Sequence, residues 1–364
     1  MKEGMDMSPD WKKGRNLFRG GLWDEAVPLL LREVWRGNME ALCYVGDYFG
    51  ERTGIVRPRD RYRSINCYRI AAEKGCALGI CRMGTCYRYG YMVEEDMAKA
   101  LELFHRAGGM GCGEAFRYIA ECYQFGLGVE KDEAEELRYR LLAAENGDTY
   151  SCTEAAERYI KGDGVERDPA HAARLLRIGA EQDEFQCQYR YAYCCLEGFG
   201  MDPDPAEALR MAHESLDGYY DQDEIGLYQY RPRAYTIIAR CHERGMGTPK
   251  DVGKAVCFYR KGSAESVGEC EYEMGRCWEL GIVVPRDMDN ALREYRYAES
   301  NGAAAAAFAL ARYYEGEGAD AEKARYHRRI AEGLAKKDFW APPAPEPPAE
   351  EEDEEVYCAA CIWA

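Results

Sequence analysis

The sequence predicts an all-α protein, a solenoid of stacked helix-turn-helix repeats of about 36 residues. A loop of the form Gly-x-Gly-Val-x-x-Asp occurs at Gly126–Asp132 and again 36 residues later at Gly162–Asp168. Looser copies begin at Gly198, Gly245 and Gly281. Between the loops, apolar residues recur at the three- and four-residue spacing of amphipathic helices. A fixed period in this range, combined with helical spacing, is typical of a stacked repeat array.

The period divides the chain into three parts. Residues 1–38 are expected to form N-terminal capping helices, residues 39–335 an array of about eight repeats, and residues 336–364 a disordered tail. The predicted repeats are 39–76, 77–112, 113–148, 149–184, 185–231, 232–267, 268–303 and 304–335. Because two short helices cannot bury their apolar faces alone, stacking is expected to supply the stability and unfolding to proceed repeat by repeat.

The first helix of each repeat is expected to end at the glycine loop. In the third repeat Ala115, Ile119 and Cys122 lie three or four residues apart and form one apolar stripe. Gly126 suits the left-handed conformation that ends a helix, and Gly128 lets the chain double back closely. The sequence therefore predicts a helix that stops at the first glycine of the loop.

The second helix of each repeat is expected to begin at an aspartate. The aspartates at this position are Asp96, Asp132, Asp168, Asp204, Asp251 and Asp287. An aspartate side chain accepts hydrogen bonds from the free N–H groups of the first helical turn, which favours a helix start at each of them. Pro169 and Pro205 follow two of these residues at the first helical position, which proline prefers.

The pattern Gly-x-Gly-Val-x-x-Asp-x-x-Lys-Ala, followed by an aromatic pair and Ala-Ala-x-x-Gly, resembles the Sel-1-like repeat family, which is related to the tetratricopeptide repeat. The match is clearest over residues 77–184 and extends over residues 39–335. The chain departs from the family pattern at Glu136, where the family has Ala, and at Gly316–Ala319, which lacks Val. The resemblance implies a right-handed α-solenoid that serves as an adaptor or scaffold for other proteins, and it implies no catalytic chemistry.

Composition restricts the classes of partner. The chain has 48 Lys and Arg against 65 Asp and Glu, a formal net charge of -17, which argues against nucleic acid or an anionic membrane as the main partner. No stretch of about 18 apolar residues is present, so no transmembrane segment is expected. The start of the chain has no apolar segment of a signal peptide, and 17 cysteines are then expected to be reduced thiols. We therefore expect a cytoplasmic protein, with delivery into a host cell as an effector left open.

The sequence gives no arrangement that is typical of an enzyme. It has no His-Glu-x-x-His and no Gly-x-Ser-x-Gly, and none of the glycine loops continues as a phosphate-binding loop. We therefore expect no catalytic residues, no metal and no cofactor. A thiol-dependent enzyme remains the alternative, because five cysteines occupy one column of the first helices. They are Cys86, Cys122, Cys194, Cys241 and Cys277. A small apolar packing position is the favoured interpretation, since thiols are often buried.

One branch of the resembled family is rich in disulfides and is linked to β-lactam binding, which suggests a β-lactam hydrolase-type enzyme as a further alternative. The bridges of that branch join the end of the second helix to the next first helix. In this chain the corresponding helix ends carry small residues without a thiol. These residues are Ala107, Ala143, Gly179 and Ala298. The sequence does not support membership of that branch.

The expected partner is a protein or a peptide, held on the concave wall that the first helices line in such an array. Positions five, nine and twelve of the first helix are expected to point away from the apolar stripe, and several of them carry Tyr or Arg, which often anchor interfaces. The candidate protein-binding residues are Arg117, Glu121, Tyr189, Tyr193, Arg240, Tyr272 and Arg276. An ordinary polar surface remains the alternative at these positions.

The tail is expected to act as a tethered motif. Residues 341–348 are rich in proline and predict an extended spacer, and Glu350–Glu355 is an unbroken acidic run. The chain ends in Cys361-Ile362-Trp363-Ala364, which resembles a prenylation box, so Cys361 is a candidate lipidation site of a membrane-associated adaptor. The alternative is a flexible linear motif that reaches a second partner.

Overall fold

The computed structural model of the chain describes residues 8–51, 58–220 and 233–337, which contain eighteen α-helices and no β-strand. The helices are α1 (Pro9–Arg19), α2 (Trp23–Trp35), α3 (Met39–Glu51), α4 (Pro58–Glu73), α5 (Ala77–Arg88), α6 (Met97–Gly109), α7 (Gly113–Phe125), α8 (Glu133–Glu145), α9 (Thr149–Lys161), α10 (Pro169–Ala180), α11 (Phe185–Glu197), α12 (Pro205–Tyr220), α13 (Arg233–Arg244), α14 (Val252–Ala264), α15 (Gly268–Leu280), α16 (Met288–Ser300), α17 (Ala304–Glu315) and α18 (Ala321–Lys337). The prediction of an all-α repeat solenoid is confirmed.

Each repeat is a pair of antiparallel neighbours along the chain. The first helices are α3, α5, α7, α9, α11, α13, α15 and α17, and the second helices are the even-numbered helices from α4 to α18. Helices α1 and α2 precede the first repeat and pack against α3 through Trp11, Phe18 and Leu30. The prediction for the tail, including Cys361, lies outside the described residues.

The aspartate N-caps occur as the sequence predicts. The Oδ1 atom of Asp96 accepts a hydrogen bond from the backbone N–H of Lys99 at 2.9 Å, and Asp132 accepts from the N–H groups of Ala134 and Glu135. The remaining aspartates with this role are Asp168, Asp204, Asp251 and Asp287. Each of these six helices therefore begins directly after the predicted aspartate, whose side chain accepts hydrogen bonds from free N–H groups of the first turn.

The two glycines of the loop have different roles. Gly126 ends α7 in the left-handed conformation, with a φ of 72° and its N–H bonded to the carbonyl of Cys122. Gly128 also has a positive φ, and a Cβ there would lie 3.1 Å from the Cβ of Met97 and 3.2 Å from Leu101 on the preceding second helix. The first glycine therefore stops the helix, and the second permits close contact with the preceding repeat.

The helices fall into two compact units. Unit 1 contains helices α1 to α10, the first half of α11 up to Tyr191, and the end of α12 from Asp217. Unit 2 begins at Ala192 and contains the second half of α11, most of α12 and helices α13 to α18. The core of unit 1 includes the fully buried Phe104, and the core of unit 2 includes Tyr259 and Tyr295.

Unit 1 contains a contact between α1 and the turn that follows α10. The carboxylate of Asp183 lies 3.0 Å from Lys12 Nζ and 3.4 Å from Arg15 Nη2, and Arg19 Nη1 donates to the carbonyl of Gln182 at 3.1 Å. Asp183 has a φ of 61°, whereas glycine occupies this left-handed position after most other second helices. An aspartate accepts the strained conformation here and supplies the carboxylate that holds α1.

The departure from the family pattern at Glu136 has a structural explanation. Its side chain is buried on α8, where Arg140 Nε lies 2.5 Å from Oε1 and Arg158 Nη2 lies 3.4 Å from Oε2. A buried carboxylate is tolerated when it is paired and hydrogen-bonded. Glu136 therefore replaces a small apolar residue with an ion pair that joins α8 to α9.

Candidate functional site

In unit 1, arginine and carboxylate side chains join the first helices of neighbouring repeats. Arg82 on α5 lies between two of them, with its Nε 3.0 Å from Asp47 Oδ1 on α3 and its Nη1 2.5 Å from Glu114 Oε1 on α7. On α7, Arg117 Nε lies 3.3 Å from Oδ1 of Asp148, which caps α9. The exposed fractions of these five side chains lie between 9% and 23%. Because the pairs are shielded, removal of one partner would leave a poorly solvated charge.

Two more ion pairs extend this series. We call these two pairs and the contacts of Arg82 and Arg117 the arginine ladder. Arg88 Nη1 lies 2.7 Å from Glu121 Oε2, and Arg190 Nη1 lies 2.7 Å from Glu157 Oε1. The first pair joins α5 to α7, and the second joins α11 to α9. The ladder therefore connects every first helix of unit 1 to its neighbour.

In unit 2 the second helices contribute tyrosines to the corresponding region. Tyr259 Oη donates a hydrogen bond to Glu243 Oε2 at 2.8 Å, and Tyr295 Oη donates to Glu279 Oε2 at 2.5 Å. Both tyrosines are buried at the same position of successive repeats. Each bond links the second helix to the first helix of its own repeat, so it does not join neighbouring repeats.

The ion pairs between neighbouring first helices of unit 2 are longer or more exposed than those of unit 1, whereas its second helices have a short, shielded contact of 2.7 Å between His327 Nδ1 and Glu299 Oε1. Arg240 Nη1 lies 3.8 Å from Glu197 Oε1. Arg312 Nη2 lies 2.9 Å from Glu279 Oε1, but its side chain is 61% exposed. An exposed pair is screened by solvent and contributes little to stability.

Two buried glutamates on the first helices differ in the direction of their pKa shift. Burial alone would raise the pKa of Glu114, but the charges of Arg82 and Arg117 outweigh it, so the pKa lies below its ordinary value. Burial of Glu273 outweighs the opposing charges of Arg276 and Arg240, so its pKa lies above the ordinary value. The carboxylate of unit 1 is therefore better compensated than that of unit 2.

The predicted binding residues do not form one open surface. Tyr189 and Arg240 are buried, with exposures of 5% and 7%, so neither lies on an open surface. Tyr189 Oη accepts a hydrogen bond from Arg190 Nε at 3.0 Å, and Arg240 lies among the carboxylates of its unit. The half-buried residues are Arg117, Glu121, Tyr193, Tyr272 and Arg276. A binding role of all seven residues remains a prediction.

Sequence reasoning missed two exposed aromatic residues at the ends of the first helices. Tyr89 directly follows α5 with an exposure of 64%, and Phe125 ends α7 with an exposure of 57%. They occupy the same position of adjacent repeats in unit 1. The signal that could have identified them is a large aromatic residue directly before or at the glycine loop, where the helix end provides no neighbour to cover it.

The column of five cysteines is buried, with exposures of 4% or less. Burial raises the pKa of Cys86, Cys194 and Cys277 to about 12. A thiol with a pKa this high is protonated at neutral pH and is a poor nucleophile. These residues therefore fit the interpretation as small packing residues.

Another cysteine has a different environment. Cys76 is the N-cap residue of α5, and a hydrogen bond from the thiol of Cys43 on α3 lowers its pKa to about 7. Cys112 is the equivalent N-cap residue of α7, and a hydrogen bond with Cys81 lowers its pKa as well. Sequence reasoning considered only the column of thiols inside the first helices and missed these two junction pairs.

Unit 1 also contains a cavity of about 510 Å³ between α3, α4, α5 and α7. Its lining combines hydroxyl groups, tyrosine rings and the first members of the arginine ladder. The lining residues are Asp47, Gly50, Ser64, Tyr68, Arg82, Thr85, Cys86, Tyr89, Tyr91, Glu114 and Tyr118. A volume of this size is sufficient for a small ligand or for part of a peptide.

Comparison with known families agrees with this architecture. The Sel1 repeat model matches eight segments of the chain, at residues 40–76, 77–112, 114–148, 149–184, 186–217, 232–266, 268–302 and 304–329. The chain belongs to the Sel1 repeat family. Proteins of this family generally act as scaffolds for protein interactions and are generally non-catalytic. In sequence, no curated protein matches the chain.

Two solved structures resemble this Sel1 repeat protein in fold. A Sel1 repeat protein from Oxalobacter formigenes is 25% identical, with a TM-score of 0.52, and the match covers 69% of this chain and 96% of the other. A protective antigen with an SLR fold from uropathogenic Escherichia coli strains is 21% identical, with a TM-score of 0.50, and the match covers 86% and 67% of the two chains. These likenesses support the assignment of the fold.

The structure adds two observations on other classes of site. Within the described residues, no helix is both long and apolar enough to cross a bilayer. In the same part of the chain, no cluster of three or more His, Cys, Asp or Glu side chains is placed to hold a metal ion. The groups that the first helices do bring together are guanidinium, carboxylate and phenol groups, which can form hydrogen bonds and ion pairs with a polypeptide.

Proposed function

We propose that the chain is a non-catalytic scaffold that holds a protein or peptide on its first-helix face. This face is defined separately in each unit: in unit 1 it is the side of the first helices that carries the arginine ladder, and in unit 2 it is the side that carries Tyr193, Tyr272 and Arg276. The observation that carries the proposal is the pair of exposed aromatic residues Tyr89 and Phe125, at equivalent positions of adjacent repeats. Exposed aromatic residues beside satisfied polar groups are typical of interface anchors.

The composition of the face supports a polypeptide partner. Tyr and Arg supply large contact areas and directional hydrogen bonds, and both are enriched where proteins bind each other. The partners of the ladder also hold these side chains in place, so little conformational entropy would be lost on binding. The binding residues of the sequence prediction are part of the proposal, with Tyr193, Tyr272 and Arg276 as its accessible members in unit 2.

Crosslinking of the full chain in native extract, followed by mass spectrometry, tests the proposal. The double variant Tyr89→Ala and Phe125→Ala is expected to lose the major crosslinked partner while its helicity stays unchanged. The matched control is Tyr62→Ala with Tyr297→Ala, because these tyrosines are 57% and 54% exposed on the second helices α4 and α16. Equal loss of the partner in both variants would show that the first-helix face has no special role.

A second proposal concerns the tail. The prenylation-like end at Cys361 would make the protein a membrane-associated adaptor, and the unmodified tail would serve as a motif for a second partner. Intact-mass measurement of the chain from a eukaryotic cytosol distinguishes the two, because a prenyl group adds a defined mass that Cys361→Ser removes. An unmodified mass in that setting would reject lipidation.

A further inference from the structure

Two pairs of cysteines lie where one first helix of unit 1 meets the start of the next. A side-chain hydrogen bond joins Cys43 on α3 to Cys76, the N-cap residue of α5. Another joins Cys81 on α5 to Cys112, the N-cap residue of α7. Each pair combines the fifth residue of a first helix with the cap of the next first helix, and all four residues are free thiols. The same arrangement therefore occurs at two successive junctions.

The next junction carries an ion pair at the same two positions. Arg117 is the fifth residue of α7, and its Nε lies 3.3 Å from Oδ1 of Asp148, the N-cap residue of α9. Residues of a different type are in contact there, which indicates that the backbone of the repeat brings these two positions together. The thiol pairs of the first two junctions are therefore held in contact by the repeat itself.

The two members of each thiol pair differ in exposure. Cys43 and Cys81 are fully buried, whereas Cys76 and Cys112 are half-buried. A small molecule in solvent can therefore reach the cap thiol, while the buried thiol stays in contact with it. An accessible thiol beside a second, shielded thiol is the arrangement in which a sulfur that has reacted is captured by its neighbour.

The cap thiols are also the more reactive members of the pairs. The hydrogen bond from Cys43 lowers the pKa of Cys76 to about 7, and a position at a helix N-terminus favours the thiolate. The pKa of Cys112 is lowered as well, mainly by its bond with Cys81. Burial raises the pKa of Cys86 in the neighbouring cysteine column to about 12, so that thiol is not expected to compete.

We infer that Cys43–Cys76 and Cys81–Cys112 are two reversible disulfide sites, formed by exchange with a low-molecular-weight disulfide. The inference does not depend on the scaffold function. Each bond would join the second turn of one first helix to the start of the next, so oxidation would connect α3, α5 and α7 covalently. The disulfide-rich branch of the family differs, because its bridges begin at the end of a second helix.

The exchange balances in two steps. The thiolate of Cys76 attacks one sulfur of the small disulfide, whose S–S bond breaks, and the first small thiolate leaves and takes a proton from solvent. The sulfur of Cys43 then gives its proton to solvent and attacks Cys76, which expels the second small thiolate. The bond to Cys76 is the main cause that raises the pKa of Cys43, and it is lost in the mixed disulfide. Two protein thiols are oxidised, and one small disulfide is reduced to two thiols.

Equilibration of the full chain in glutathione buffers of graded redox ratio tests the inference. Acid and N-ethylmaleimide trap the free thiols, and the unfolded chain is cut with trypsin for mass spectrometry. Residues 75–82 form one tryptic peptide that contains both Cys76 and Cys81. In oxidising buffer we expect this peptide to be linked to the peptides of Cys43 and Cys112, and in reducing buffer we expect all three to be released.

Two serine variants separate the bridges. Cys76→Ser keeps a side chain that caps a helix well, so it is expected to stay folded and to lose only the link to Cys43. Cys112→Ser should likewise lose only the link to Cys81. The matched control is Cys257→Ser, because Cys257 is also half-buried but lies outside both pairs, on α14. Both links should remain in the control, and circular dichroism establishes that each variant is folded.

Three results would overturn the inference. The first is a bridge between Cys76 and Cys81 within their common peptide. The second is a stable glutathione adduct on Cys76 without a link to Cys43. The third is the absence of any protein disulfide in a buffer of oxidised glutathione alone. None of these results affects the scaffold function, which the crosslinking experiment tests separately.

Discussion

Units 1 and 2 are built from the same repeat, yet they hold charge on the first helices in different ways. In unit 1 the arginine ladder crosses from repeat to repeat through shielded contacts, such as the 2.5 Å contact between Arg82 and Glu114. In unit 2 the tyrosine bonds run within a repeat, as between Tyr295 and Glu279, and the ion pairs between neighbouring first helices are longer or exposed. The comparison shows that one backbone pattern permits two kinds of polar connection.

The two units are expected to differ in stability and in their capacity to bind a partner. Shielded pairs between repeats make neighbouring repeats of unit 1 depend on each other, because either partner alone would be a buried charge. Exposed pairs contribute little, so Arg312 of unit 2 is free to exchange Glu279 for a carboxylate of a partner at small cost.

Breaking one shielded pair should have the largest effect. Arg82→Met is expected to lower the free energy of unfolding of unit 1 by about 3–5 kcal/mol, because Asp47 and Glu114 would both lose a buried counter-charge. Arg312→Met in unit 2 is expected to cost less than about 1 kcal/mol. Denaturant titration read by hydrogen exchange in each unit measures both values. Similar losses in the two variants would remove the contrast.

The two buried glutamates should respond oppositely to pH. The depressed pKa of Glu114 contributes stability at pH values above the ordinary pKa of a glutamate. This stability is lost as the pH falls through the pKa of Glu114 in the folded state. The raised pKa of Glu273 gives stability that is present at pH values below the ordinary pKa of a glutamate. This stability is lost as the pH rises through the pKa of Glu273 in the folded state.

We therefore expect Glu114→Gln to cost about 1–3 kcal/mol at neutral pH, with the loss vanishing in acid, since the charge-assisted bond from Arg82 is replaced by a weaker one. For Glu273→Gln, the stability relative to the parent chain should improve as pH rises from the acid range to neutrality. Thermal melts over pH measure both curves. Parallel curves for the two variants would contradict the assigned directions.

Removal of one tyrosine hydroxyl in unit 2 should have a smaller effect. Tyr295→Phe deletes the donor to Glu279 but keeps the buried ring, so the expected loss is about 1 kcal/mol, typical of one hydrogen bond. Tyr297→Phe on the same helix is the control and should change nothing, because Tyr297 is 54% exposed. A loss above about 3 kcal/mol would mean that the bond also holds neighbouring repeats together.

The junction thiol of unit 1 should show a chemical effect with little change in stability. Alkylation of Cys76 is expected to accelerate through a midpoint near its pKa of about 7, because the thiolate is the reactive form. Cys43→Ala removes the hydrogen bond that lowers this pKa and should move the midpoint towards the ordinary value. Cys277, whose pKa is raised to about 12, should remain unlabelled. An identical midpoint with and without Cys43 would refute the pairing.

The fold could be predicted because its signals are local. An aspartate cap such as Asp132 and a left-handed glycine such as Gly126 act within one or two turns of the chain, and their period of 36 residues reports the stack directly. Each of these signals needs no knowledge of a distant residue.

The candidate site could be predicted only in part. Helical geometry selects Arg117 and Glu121 as polar positions, but it does not show that Arg117 binds both Glu121 and Asp148. The burial of Tyr189 depends on side chains of other helices. The cavity is lined by groups from α3, α4, α5 and α7, which no single repeat reveals.

The contact between α1 and Asp183 changes how heat is expected to open unit 1. In a linear array the terminal element has a single neighbour, so melting starts at the end and moves inward. Helix α1 has α2 on one side and the turn after α10 on the other, which joins the two ends of this series of repeats through Lys12 and Arg15. When the two ends of a series of repeats contact each other, no repeat has a free end from which melting can start. The repeats of this series are therefore expected to melt in one transition.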